Sequence, residues 1–217
     1  NLTALWAARE GGGITEVVTA STAHLSVAKA AHILGLPLRS IEVTPDQRLD
    51  LDQLGDVRSA AVVLTAGSTV AGAIDPLAVA GSATTRAAWI HVDAAWSGAL
   101  QFSPNHRSAL DGIHHADSVA FSAHKWLHQP KDCAALFFAD PDAAHAAISF
   151  GGSYLSAPNI GLLGSSGARA LPLAATLLAW GRDGIAAVVD AGMARISELA
   201  ELVDADADFE LFEPHRT

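Results

Sequence analysis

Asp93 and Lys125 each stand at the end of an apolar run, and 32 positions separate them. Asp93 follows Ala87-Ala88-Trp89-Ile90-His91-Val92. If that run is a strand, the carboxylate lies at its carboxyl end, where open α/β sheets bind their ligands. Burying a carboxylate there is costly without a cationic partner, and the protonated nitrogen of a pyridine ring is one such partner. An Asp that caps the following turn, Ala94-Ala95-Trp96, fits this segment equally well. Lys125 follows a second run, Ser118 to Phe121, within the polar cluster Ser122-Ala123-His124-Lys125-Trp126. A lysine partly desolvated beside a second cation is a good nucleophile toward a carbonyl carbon, whereas most lysines lay their stems along the surface. The separation matches one βαβ unit, so adjacent strand ends can present both groups to one crevice. His24, in Ser21-Thr22-Ala23-His24-Leu25, sits where a strand gives way to a helix. Its ring could lie flat on an aromatic ligand, or simply open the helix. The grouping His114, His115, His124 and His128 matches no familiar zinc spacing, and the neighbours His114 and His115 are expected to point apart.

Positioning these residues falls to short β-branched or apolar runs that alternate with helical patterns, the sequence form of βαβ units around a mostly parallel sheet. Val17-Val18-Thr19 precedes a helix from Leu25 to Leu34 that Gly35 and Pro37 end. Ser40 to Val43, Ala61 to Thr65, Ala87 to Val92, Ser118 to Phe121 and Ala134 to Phe138 complete the strands. Leu171 to Ala200 reads as two consecutive helices broken near Gly181 to Gly184. Phe150 to Gly167, rich in glycine and serine, reads as a long functional or mobile loop.

At 217 residues and 50% hydrophobic content the chain can bury one substantial core. A formal charge of −10 argues against nucleic acid or an anionic membrane as partner and leaves a small molecule. The single cysteine, Cys133, excludes an internal disulfide; it reads as a buried strand thiol and fits a reducing cytoplasm. No apolar run approaches a membrane span, and no signal-peptide pattern opens the chain. The chain begins at Asn1 already inside a helical pattern and stops after a strand-like Phe209 to Phe212, so both ends read as cut.

Four segments, in order and each at a strand end, carry a resemblance: Ala23-His24-Leu25-Ser26-Val27; Thr65-Ala66-Gly67-Ser68-Thr69 with Gly72 to Pro76; His91-Val92-Asp93-Ala94-Ala95-Trp96; and Ala116-Asp117-Ser118 followed by His124-Lys125-Trp126-Leu127. With them the chain resembles the group II pyridoxal-phosphate-dependent amino-acid decarboxylases over nearly its whole length. The resemblance implies a fold type I α/β large domain over residues 1–200 and the start of a small domain over 201–217. It implies pyridoxal 5'-phosphate as cofactor and an L-amino acid decarboxylated to its amine by a homodimer. Lys125 would carry the cofactor as a Schiff base, Asp93 would pair with the pyridine nitrogen, and His24 and Ala95 would cover the two ring faces. His124 and Ser122 would lie near the phosphate, and Ser68 near the ring or the substrate carboxylate. Tyr154, the sole tyrosine, would be the proton donor on a mobile loop or a simple loop anchor. Arg169 would bind a carboxylate or merely start a helix. Three departures stand out. The family's phosphate loop would precede Asn1, Ala123 replaces a usual proline, and Ser122 replaces a longer polar side chain. An aminotransferase-like or aldehyde-forming enzyme on the same scaffold, and a non-catalytic paralogue, are the alternatives.

Overall fold

The computed structural model describes residues 1–82, 86–164 and 167–211. A six-stranded sheet forms its centre, with strands β1 (Glu16–Ala20), β2 (Leu38–Ile41), β3 (Ala60–Thr65), β4 (Trp89–Asp93), β5 (Ser118–Ser122) and β6 (Ala134–Phe138). Their order across the sheet is β2-β1-β3-β4-β5-β6; all neighbours run parallel except β5 and β6. This is the mostly parallel, helix-flanked sheet expected from the alternating pattern.

Every residue of β3 is buried, because both faces of the sheet are covered. The period-2 pleat divides its side chains between two cores. Ala61 and Val63 join Leu5, Ala8, Val17 and Val27 beneath helices α1 (Leu2–Gly12) and α2 (Leu25–Leu34). Ala60, Val62 and Leu64 join Val92, Leu100, Leu110 and Ile185 on the opposite face. That second face is roofed by short 3-10 turns, Ser97–Phe102 and Arg107–Leu110, and by helix α4 (Ala170–Asp204). A small third core joins α1 to helix α3 (Pro141–Ala147) through Ala7, Ala144 and Ile148.

Helix α2 ends as its residues predict: Gly35 takes φ 67°, and its N–H donates to backbone carbonyls of the last turn. The break expected in α4 lies at Gly181, whose φ of 61° and ψ of −175° interrupt the helix. The helix continues through residue 200 to Asp204. Strand β2 ends two residues before Val43, which instead bridges Leu49. Phe209 to Leu211 form no strand, and Phe212 lies outside the described residues. The glycine- and serine-rich loop contains a small hairpin of β7 (Ser149–Phe150) and β8 (Asn159–Ile160); Ser165 and Ser166 lie outside the described residues. Cys133 is buried one residue before β6. Among the described residues, no helix is long and apolar enough to cross a membrane.

Candidate active site

The carboxyl ends of β3, β4 and β5 lie side by side, with Thr65 opposite Asp93 and Asp93 opposite Ala120. Above them a cavity of about 280 Å³ is lined by Asp93, Ala95, Ser122, His124, Lys125 and His24, and also by Asn1, Ser26, Thr65, Gly67 and Thr69. Six of the expected site residues therefore meet at one cavity although the chain separates His24 from Lys125 by a hundred positions. Parallel pairing causes this, since each crossover returns the chain to the same edge of the sheet.

Asp93 is 6% exposed. Its Oδ1 accepts the backbone N–H of Ala95 at 3.1 Å, and its Oδ2 accepts from Asn1 Nδ2 at 2.7 Å. The capping role and the cavity-facing role thus coexist in one carboxylate. Lys125 follows a tight reversal at the end of β5, in which its N–H donates to Ser122 O at 3.3 Å and Ala123 N donates to Cys133 O at 3.0 Å. Its Nζ stands 5.7 Å from the centroid of the Trp96 ring, within reach of a cation–π attraction. Trp96 in turn meets Trp126 edge-on at 5.8 Å. Gly67 makes room for this arrangement: with φ at 91°, an added Cβ would lie 2.2 Å from Ser97 Oγ and 2.9 Å from Trp96 Cδ1. His24 caps α2, with its Nδ1 3.3 Å from Ser26 N and 2.8 Å from Ser26 Oγ, and it also lines the cavity.

The remaining expectations fare differently. Ser68 does not line this cavity. Its Oγ accepts from Ala73 N at 3.2 Å, and the residue lines an adjoining cavity of about 390 Å³ shared with Trp96, Lys125 and Ile196. Tyr154 is 88% exposed and lines neither cavity. Arg169 is exposed at the start of α4 and lines neither cavity, which matches its reading as a helix-start arginine. His114 and His115 do not point apart: their ring centroids lie 3.9 Å from each other. Among the described residues no group of His, Cys, Asp or Glu could hold a metal ion.

Sequence reasoning missed Asn1 and His91. His91 is fully buried, and burial above all pushes its imidazole down to about 3. One signal could have found it. His91 lies two residues before Asp93, so both side chains leave the same face of β4. No local pattern marks Asn1.

Two buried polar atoms on cavity residues, Thr65 Oγ1 and His124 Nδ1, have no hydrogen-bond partner among the described residues. Buried polar groups are normally satisfied. Together with an amine, a buried carboxylate and an imidazole, they fit a flat, polar, aldehyde-bearing aromatic ligand such as pyridoxal phosphate.

Fold and site together define the large domain of a fold type I pyridoxal-phosphate enzyme. Residues 13–217 match the pyridoxal-dependent decarboxylase conserved domain, and the chain belongs to that family. It is 36% identical over 211 residues to L-2,4-diaminobutyrate decarboxylase of Rhizobium meliloti (strain 1021), covering 86% of this chain and 42% of that protein. The crystal structure of mouse CSAD in apo form superposes with a TM-score of 0.87 at 26% identity, covering all of this chain and 52% of that one. The structure of Oryza sativa TDC with PLP and tryptamine gives a TM-score of 0.85 at 26% identity, covering 99% and 51%. The chain thus spans about half the length of the proteins it matches.

Proposed function

We propose that the protein to which this chain belongs removes the carboxylate of an L-amino acid as carbon dioxide, leaving the amine, with pyridoxal 5'-phosphate held in the cavity above β3, β4 and β5. The observation that carries this reading is the convergence of Lys125 and Asp93 on one cavity from neighbouring strand ends. When bound, the cofactor supplies an electron sink for the bond broken at the substrate Cα.

In this reading the chain's own residues do the rest. Lys125 Nζ is the amine that holds the cofactor's aldehyde carbon, and its place over Trp96 keeps it at the cavity. The Asp93 carboxylate pairs with the pyridine nitrogen and holds its proton; Ala95 N–H and Asn1 Nδ2 fix both of its oxygens. His24 covers one ring face. Ala95, with a single methyl group, leaves room on the other. His124 and Ser122 donate toward the phosphate end of the cavity. Ser68 acts from the adjoining cavity, toward the substrate. Tyr154 enters only if the loop from Phe150 to Gly167 closes and carries its phenol to the site. Residues 1–200 are the cofactor-holding large domain, and 201–217 lead into a small one. A cytoplasmic homodimer completes the proposal; exposed Leu178, Leu199 and Leu202 on α4 are apolar surface available for that association.

The test is to purify the whole protein with cofactor, screen amino acids for carbon dioxide release and identify the product. Borohydride reduction followed by peptide mapping should place the cofactor on Lys125. Label on Lys29 or Lys131, the other two lysines of the chain, would remove the central assignment, and aldehyde in place of amine would favour the aldehyde-forming alternative.

A further inference from the structure

The Asn1 side chain is a fork. Its Nδ2 lies 2.7 Å from Asp93 Oδ2 and 2.6 Å from Ser26 Oγ, and its Oδ1 lies 2.9 Å from His91 Nε2. A carboxylate only accepts hydrogen bonds, so the amide must turn its N–H₂ toward Asp93. Its carbonyl then faces His91, which requires the proton of the neutral imidazole to sit on Nε2. His91 Nδ1 is left as an acceptor, 2.9 Å from Ser118 Oγ, and Ser118 Oγ is itself 2.8 Å from Trp89 Nε1, an obligate donor. On the other arm, Ser26 Oγ accepts from Asn1 and so turns its own proton to His24 Nδ1, 2.8 Å away. Each donor and acceptor has one assignment consistent with all the others.

We propose that Asn1, His91 and Ser118 form a buried positioning relay that fixes the tautomer of His91 and thereby clamps the Asp93 carboxylate and the His24 ring in the orientations a bound pyridine ring needs. None of the three relay residues is catalytic; they act through Asp93 and His24. His91 is wholly buried and Ser118 nearly so, so water cannot replace a missing member. Burial also keeps the His91 imidazole neutral at physiological pH. A neutral imidazole can hold only one proton, which is what gives the relay a direction.

Ser118 O also lies 3.2 Å from His91 Nδ1. A carbonyl only accepts, so it cannot replace the hydroxyl as donor to a bare Nδ1. Removing the Ser118 hydroxyl leaves Nδ1 without its donor while Asp93 still holds the Asn1 amide, and the relay is weakened at that point.

The inference rests on the cofactor reading above for its purpose, but its first half is measurable without cofactor. In ¹⁵N-histidine-labelled whole protein at pH 7, His91 should show a protonated Nε2 and a bare Nδ1, and in Ser118→Ala the Nδ1 resonance should move downfield as that nitrogen loses its donor. In the same protein, cofactor affinity measured by fluorescence titration should weaken about tenfold in Ser118→Ala and His91→Phe, the loss of one hydrogen bond to a charged group. His91→Gln, which can keep an N–H directed at Asn1, should stay within about threefold of wild type, because the charge-assisted bond is preserved. A Nδ1-protonated or cationic His91 in the wild type overturns the proposal, and so does a Ser118→Ala protein with an unmoved Nδ1 resonance or unchanged cofactor affinity. If His91→Phe fails to fold, Ser118→Ala decides alone. A protein that releases no carbon dioxide from any amino acid, yet shows these tautomers and affinities, would sink the decarboxylase reading and leave the relay standing.

Discussion

Replacing Asp93 by Ala separates the electrostatic role of this carboxylate from its structural one. The structural cost follows from its two bonds: Ala95 N–H and Asn1 Nδ2 lose their acceptor in a site 6% exposed. Unsatisfied buried donors cost roughly 1–3 kcal/mol each, less where the cavity admits water. The functional cost is larger. A carboxylate at about 3 Å from a protonated ring nitrogen, at an effective dielectric near 20, contributes roughly 332/(20 × 3) ≈ 5.5 kcal/mol, or about four decades. On the proposed pairing that attraction would keep the ring nitrogen protonated, so most of it should appear in turnover, while the covalent link proposed through Lys125 would persist. The assay is carbon dioxide release by the cofactor-loaded whole protein, with absorbance reporting cofactor occupancy and circular dichroism reporting the fold. Asp93→Asn, nearly isosteric but uncharged, should lose most of the same activity. A folded, cofactor-loaded Asp93→Ala protein with turnover within about tenfold of wild type would refute the reasoning, since that leaves barely 1.4 kcal/mol for the charge.

Three further outcomes follow from the same geometry. Gly67→Ala should destabilise the protein by about 2–4 kcal/mol in denaturant titration, because a Cβ at φ 91° meets Ser97 Oγ at 2.2 Å and adds overpacking to left-handed strain; a change below about 0.5 kcal/mol would contradict the packing described. His91 has its folded-state value depressed from 6.5 to about 3, so its contribution to stability is full above pH 6.5 and is lost as pH falls toward 3, at about 1.4 kcal/mol per pH unit. Between pH 6.5 and 5 the wild type should therefore lose about 2 kcal/mol more than His91→Gln, and equal slopes would refute it. Tyr154→Phe should leave stability within about 0.5 kcal/mol of wild type, given its exposure; if loop closure makes Tyr154 the proton donor, carbon dioxide release continues while the product shifts from amine toward aldehyde, and clean amine at the wild-type rate would remove that role.

Much of this site was legible because its parts are strand ends. A short apolar run that stops at an Asp or at a Ser-Ala-His-Lys cluster announces both a strand and what its carboxyl end carries, and parallel pairing then does the gathering. Where side chains depended on distant partners, residue patterns said less. Ser68 belongs to a motif around the site, yet its hydroxyl is turned to Ala73 N. The pairing of Asn1 with His91 spans 90 positions and that of His91 with Ser118 spans 27, and nothing in either neighbourhood hints at the other. The close, tilted approach of His114 and His115 came from the tight 3-10 turn at Ile113–His115, where consecutive side chains need not diverge as they do along a strand.

Register is the deeper reason. A strand buried on both faces reads as one continuous apolar run, so hydrophobic patterning does not distinguish one register from its neighbour. A slip of one residue in β4 would turn Asp93 away from the cavity and His91 away from Asn1. Polar pins at the strand ends select the register instead. Asp117 Oδ2 accepts Ile90 N–H at 2.7 Å while Asp117 N donates to Ile90 O at 2.9 Å, which locks β4 to the segment entering β5. Asp75, its carboxyl pushed up by burial, accepts Thr65 N–H and Leu49 N–H, both at 2.7 Å, and fixes the end of β3. These carboxylates touch neither cavity, yet they decide which side chains do: Thr65, Asp93 and Ala120 face one another only in the register that Asp75 and Asp117 hold.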